Sequence, residues 1–242
     1  MLTTAKLIVL LLPLALSGGV AALYGEDGSA ARPVRVMVVT GGHPYDTSFG
    51  SLFEGYEQIA ARVYPRDVAF RADFRSTVDV LVLYDLTQEI TDVERKHFQD
   101  FLESGKGLVV LHHAVANYWK SWPWYQTLIG ATYYLKAEGD RPASKPTMGQ
   151  NVLARPACEH PITIGLGPLH WEEETYKGMT ISPTVKVLLE TDNPTSEKQL
   201  AWISPYEKSR VVVMTPGHDR KSHLHPGYRR LVRNAVLWSA GR

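Results

Sequence analysis

Three histidines stand at the ends of three apolar runs far apart in the chain: His43 in VMVVTGGH, His112 in GLVVLH and His218 in VVVMTPGH. Imidazole can donate, accept, ligate a metal or move a proton near neutral pH. Apolar runs of this kind read as strands buried on both faces, and in an open α/β sheet ligands bind just outside the carboxyl ends of the strands. Three imidazoles reaching that edge from separate segments predict one site built from His43, His112 and His218. Glu172, Glu173 and Glu174 offer carboxylates to pair with them. If residues 171–176 form a strand, Glu172 and Glu174 share one face and Glu173 takes the other. We assign proton transfer to Glu174 together with His43, His112 and His218.

The pattern also excludes. TGGHPYD is neither a dinucleotide GxGxxG nor a Walker A loop, so no nucleotide phosphate site is inferred. On related sheets the strand before this corner ends in a Ser or Cys at a sharp elbow. Here Leu111, His112, His113 and Ala114 stand there, so an elbow nucleophile is absent. Cys158, in the loop segment ARPACEHP, is no substitute. His113 is assigned to substrate binding, with Asp46, Trp122 and Tyr176. Trp122, with Trp119, Trp124 and Tyr125, forms either a stacking wall for a sugar ring or the core face of a short helix. His223 and His225 read as members of a polar surface loop. Two uses of the imidazoles stay open. His43, His112 and His218, or two of them with Glu174, would hold a divalent ion such as Zn²⁺ with one position free. Equally, they would bind hydroxyl groups directly. There is no HExxH, so spacing does not choose between them.

These residues need a scaffold that brings distant segments to one edge. Residues 34–40, 79–84, 108–111 and 211–214 read as buried strands. A helix is predicted over 48–63, because Leu52, Phe53, Tyr56, Ile59, Ala60 and Val63 keep one face. Thr91 and Glu94 make a capping box. The helix it opens buries Val93, Phe98, Phe101 and Leu102 and stops at Gly105. A short helix is expected within 119–129, and shorter strands at 152–153, 171–176, 185–189 and 200–203. Pro226 opens a last helix with Tyr228, Leu231, Val232, Ala235 and Trp238 on one stripe. Alternating strands and helices predict an α/β fold: a three-layer open, mostly parallel sheet with helices on both faces, flavodoxin-like in plan.

Charge is nearly balanced, 26 Lys and Arg against 25 Asp and Glu, which argues against nucleic acid as a partner. A single cysteine leaves no intrachain disulfide, so the apolar core carries stability. Lys6, the apolar run 7–16 and the small residues after it have the pattern of a secretory signal. We expect a signal over 1–22, a polar tether over 23–32 and one domain over 33–242. The run is short of the ~20 residues that a span needs. The expectation is an exported protein, periplasmic or extracellular, with no stable membrane span after cleavage; an uncleaved anchor is the alternative. The oligomeric state is open.

The chain resembles the ThuA-like family, named for trehalose utilisation, from about residue 34 to 241. The matching pieces are the strand ending Gly41-Gly42-His43; Leu83-Tyr84; GKGLVVLH over 105–112; Trp122-Pro123 with Leu128-Ile129-Gly130; His160-Pro161-Ile162-Thr163; Glu173-Glu174-Thr175-Tyr176; Gly217-His218; and Leu237-Trp238-Ser239-Ala240-Gly241. Three positions depart from the family. Pro44 and Tyr45 separate His43 from Asp46, His113 replaces a small residue, and Glu173 stands where aspartate is common. The resemblance implies a class I glutamine amidotransferase-like fold without the amidotransferase cysteine. It also implies a link to sugar metabolism, through oxidised or keto-sugars. The expected partner is a small sugar or sugar derivative. It would be isomerised, eliminated or hydrolysed, or else held by a non-catalytic sugar-binding protein on the same scaffold.

Overall fold

Runs with no polar face force strands into the middle of a layered structure. The computed structural model describes residues 32–242; the expected signal and all of the tether but Arg32 lie outside them. In chain order the strands are β1 (Val34–Gly41), β2 (Ile59–Pro65), β3 (Val80–Asp85), β4 (Gly107–Leu111), β5 (Ala131–Thr132), β6 (Lys145–Pro156), β7 (Leu169–Lys177), β8 (Thr180–Ile181), β9 (Lys186–Thr191), β10 (Gln199–Ile203) and β11 (Val211–Met214). The helices are α1 (Arg66–Ala69), α2 (Asp92–Glu103), α3 (Pro123–Ile129), α4 (Arg220–His223) and α5 (Pro226–Ser239), with 3-10 turns at Thr47–Leu52 and His112–Ala116.

Among the described residues one nine-stranded sheet runs β2-β1-β3-β4-β11-β10-β9-β6-β7, and β5 pairs with β8. The fold is α/β, and the sheet is mixed. Its first five strands are parallel, and the remaining pairs are antiparallel. Every residue of β3, β4 and β11 is buried, as a sheet covered on both faces requires. Val36, Val38, Val80 and Val82 face α5 and the first 3-10 turn. Met37, Val39, Leu81 and Leu83 face α2 and α3. The capping box of Thr91 and Glu94 opens α2. Phe98, Phe101 and Leu102 are buried beneath it, but Val93 is exposed: it lies on the solvent side of the first turn.

The helix expected over 48–63 is not formed. Residues 47–52 make a 3-10 turn, Gly55 takes φ 79°, and 59–65 become edge strand β2, pairing with β1 from Val34↔Ile59 to Thr40↔Pro65. The helical spacing of apolar residues loses to a parallel ladder, and most of β2 is left at least partly exposed. The helix expected within 119–129 begins only at Pro123, whose ring suits a first helical position.

β1 has β2 on one side and β3 on the other, which makes its end the switch point of the parallel half. Strand β7 lies four places from β11 in the ladder, about 19 Å at ~4.8 Å per strand in a flat sheet. Its side chains nevertheless touch the loop after β11, where Glu173 meets Gly217 and His218. The antiparallel wing therefore curls back over the sheet edge. The ladder of this wing shifts register in β6 between Thr147 and Gln150 and in β10 beside Ala201, irregularities of the kind that bend a strand. Among the described residues no helix is long and apolar enough to cross a membrane.

Candidate functional site

The parallel strands deliver His43, His112 and His218 to one edge. Their rings form a row through His113, with centroids 4.7 Å apart for His43–His113, 5.1 Å for His113–His112 and 5.2 Å for His112–His218. Two glycines set the corners. Gly42 has φ 72°, and a Cβ there would lie 1.8 Å from the Leu86 carbonyl oxygen. Gly217 has φ 129°, and a Cβ there would lie 2.5 Å from the Tyr228 hydroxyl. His112 itself takes φ 52°. A non-glycine residue in the left-handed region costs about 1–2 kcal/mol. This is the corner where related sheets strain a nucleophile.

β7 supplies the carboxylates, and its alternation separates their roles. Glu174 shares its face with Tyr176. One of its oxygens, Oε2, lies 3.0 Å from His112 Nε2 and 3.1 Å from His218 Nδ1, and these two nitrogens are 3.2 Å apart. The Tyr176 hydroxyl donates to the same oxygen at 3.3 Å and lies 3.0 Å from His112 Nε2, with its ring stacked on the imidazole. Burial raises the Glu174 carboxyl, but the close imidazoles of His112 and His218 outweigh it and hold the group well below the usual carboxylate range. The same bond from Glu174, against partial burial, raises His218. On the far side of His112, Nδ1 donates to the Thr215 carbonyl at 2.9 Å.

Glu173, on the opposite face, is buried and accepts from five donors: Trp171 Nε1, the backbone N–H groups of Glu174, Gly217 and His218, and the Ser222 hydroxyl. It clamps the loop that carries His218. Two further residues do the same work. Tyr84 donates to the Gly217 carbonyl at 2.7 Å, and His223 Nε2 donates to that carbonyl at 2.8 Å. His223 is fully buried and its Nδ1 meets Ser48 Oγ at 2.9 Å, so it is no surface-loop residue. His225 caps α5, accepting from Gly227 and Tyr228. The dipeptide His225-Pro226 carries that signal, since proline favours the first helical position. Nothing local points to Glu173, Tyr84 or His223, whose partners lie far along the chain.

The other expected residues fall elsewhere. His113 is buried, donates to the Tyr84 carbonyl through Nε2 at 3.3 Å, and is pushed down to about 3, first by burial and then by His112 and His43. Its Nδ1 has no hydrogen-bond partner. Asp46 caps the 3-10 turn through Ser48 N at 2.8 Å. His43 donates from Nδ1 to the Pro44 carbonyl at 2.6 Å and is partly exposed. Trp122 is buried against Phe98, Tyr118 and Trp124, the core face rather than the stacking wall. His43 does not join the group whose ligand atoms converge; that group is His112, Glu174 and His218.

The model of the ThuA family, described as trehalose utilisation, matches residues 35–239. The chain belongs to the ThuA family. Two solved ThuA-like proteins share its fold. That of Parabacteroides merdae is 16% identical, with TM-score 0.74, and the match covers 86% of this chain and 90% of the other. That of Bacteroides uniformis is 17% identical, with TM-score 0.61, over 89% and 95%. A Thermoplasma acidophilum protein described as belonging to GMP synthase is 15% identical, with TM-score 0.55, over 87% and 96%, which relates the ThuA fold to the glutamine amidotransferase-like sheet. Comparison with curated proteins finds no match.

Proposed function

We propose that this ThuA-family protein acts on a small carbohydrate or keto-sugar by acid–base chemistry at the histidine row. The observation that carries the reading is Glu174, an ionised carboxylate held between two imidazoles at the carboxyl ends of the strands. His218 is more open than His112, with a quarter of its side chain exposed. Beside Glu174 it holds a proton that it can pass to a ligand oxygen. His43 uses Nδ1 on the Pro44 carbonyl, which leaves Nε2 as its accepting atom at the rim. His218 as acid and His43 as base would serve isomerisation, elimination or hydrolysis next to a sugar carbonyl. His112 and Tyr176 hold Glu174 in place, and His113 spaces His43 from His112. Family membership supports sugar as the substrate class.

The test is incubation of purified protein with a panel of disaccharides and their 3-keto forms, read by mass spectrometry. Turnover of a keto-sugar, lost in Glu174→Gln, is the expected result. Saturable binding without turnover would leave a sugar-binding protein in its place. We further propose that the protein is exported, on the pattern of Lys6, the apolar run 7–16 and the small residues after it. N-terminal sequencing from the native host checks this, with a mature start near residue 23 expected.

A further inference from the structure

We infer that His112, Glu174 and His218 bind a divalent metal ion of the zinc class. The argument begins behind the site. A carbonyl has no proton to give, so the 2.9 Å contact between His112 Nδ1 and the Thr215 carbonyl places the ring N–H on Nδ1. In a neutral ring Nε2 is then a lone pair. That lone pair faces Glu174 Oε2, another acceptor, at 3.0 Å. The third atom, His218 Nδ1, lies 3.1 Å from the same oxygen and 3.2 Å from His112 Nε2.

Three ligand atoms close a triangle, and a cation at its centre would take a lone pair from each, displacing the proton that His218 holds beside Glu174 in the ion-free site. The site is closed on its inner side, where 1% of the His112 side chain is exposed. The dimensions fit. Three ligands of a tetrahedral zinc ion, at ~2.0–2.1 Å from the metal, stand ~3.3 Å from one another. The surroundings fit as well. A backbone carbonyl fixes the tautomer of the ligating ring, and Tyr176 orients the carboxylate from outside. Glu173 anchors the backbone of His218. With three protein ligands, a fourth position stays free on the side where His218 meets solvent. His43 is outside the set, turned onto His113.

This inference rests on reading the corner as the reaction site, but its test needs no sugar. The full-length, untagged protein is stripped with a chelator and titrated with Zn²⁺ and with Co²⁺. Elemental analysis, calorimetry and the visible spectrum of the Co²⁺ form are the readouts. One equivalent is expected, with a rise in melting temperature and the absorption of tetrahedral cobalt. His218→Ala and Glu174→Gln should each weaken binding at least ~10-fold, whereas His43→Ala should keep it. Far-UV circular dichroism confirms that each variant folds, and Glu174→Gln preserves side-chain size. Substoichiometric metal in the wild-type protein, or binding unchanged in both ligand variants, overturns the inference. If the stripped protein still turns over a keto-sugar without binding metal, the metal reading falls and the acid–base reading stands. Metal bound without turnover on any sugar is the reverse.

Discussion

At the end of β3, Asp85 is wholly buried and answers to Arg66 and Asn117; beyond the ends of β4 and β11, Glu174 answers to His112 and His218. Asn117 donates to Asp85 Oδ1 at 3.0 Å, and Arg66 Nε stands 3.6 Å from Oδ2. Burial pushes Asp85 up to about 6, against the pull of Arg66 and Asn117. A cavity of about 590 Å³ opens beside this corner, lined by Thr40, Gly42, Arg66, Thr87 and Glu94 among others, and Asp85 is sealed off from it. The two carboxylates are pushed in opposite directions because burial outweighs the partners of Asp85, whereas two imidazoles outweigh burial at the less buried Glu174. A guanidinium stays charged and shares itself with Glu94. Imidazoles can lose or take a proton, and theirs is the corner that meets solvent. The cavity lies beside the carboxylate that is sealed off, whereas titratable partners surround the accessible one.

The most damaging test of this contrast is to remove the clamp under the Glu174 corner. Glu173→Ala would strand five donors, four of them on the loop and strand that form the site. Each buried donor left unsatisfied costs about 1–3 kcal/mol, so even with most of them re-paired a loss of several kcal/mol is expected. Urea unfolding should show that loss, with activity lost as well. A change below ~1 kcal/mol would mean that the loop is held by other contacts. Glu174→Gln is the complementary change. It keeps the side chain's size and removes the charge between the imidazoles. Keto-sugar turnover should fall ~10²–10⁴-fold, with the secondary structure intact by circular dichroism.

Asp85 tests the other half of the contrast through pH. A folded value of about 6, above the ordinary 3.8, means that the folded state prefers the protonated acid. Its contribution is full below the ordinary value and is lost as pH rises through about 6. At ~1.4 kcal/mol per unit this amounts to at most ~3 kcal/mol. Asp85→Asn lacks the titration. Unfolding free energies of both proteins at about pH 4 and about pH 7, either side of the titration, should shift in the variant's favour at the higher pH. A difference independent of pH would show that Arg66 and Asn117 fully offset burial.

The same contrast explains what can be read from the chain. β1, β3, β4, β11, α2 and α5 announce themselves locally, through uniform apolar runs, the Thr91–Glu94 box and Pro226. The strand ends then place His43, His112 and His218 at one edge. Which of them meet is not local. The convergence on Glu174 depends on the antiparallel wing reaching back over the edge, through contacts between segments distant in the chain that have no local signature. β2 reads as helix in the sequence because an edge strand with little burial has no clear alternation of its own. Glu173 looks like one of three interchangeable acids, because its partners Gly217, His218 and Ser222 come from the far end of the chain.

The smallest change probes the outer support of the Glu174 corner. The Tyr176 hydroxyl, buried and raised well above its usual value first by burial and then by Glu174, keeps its proton and donates it to Glu174 Oε2. Tyr176→Phe removes that bond and leaves the ring stacked on His112. A hydrogen bond to a charged group contributes about 1.5–3 kcal/mol. Here the carboxylate keeps two imidazole partners, so the low end applies, and a ~10-fold fall in kcat/KM is expected. Because Tyr176 holds Glu174 rather than the ligand, the fall should appear in kcat with KM nearly unchanged. A rise in KM at constant kcat would instead place the hydroxyl against the sugar, the role expected of Tyr176 from its position beside the acidic run. The two outcomes assign this residue to the support of the carboxylate or to the wall of the binding site.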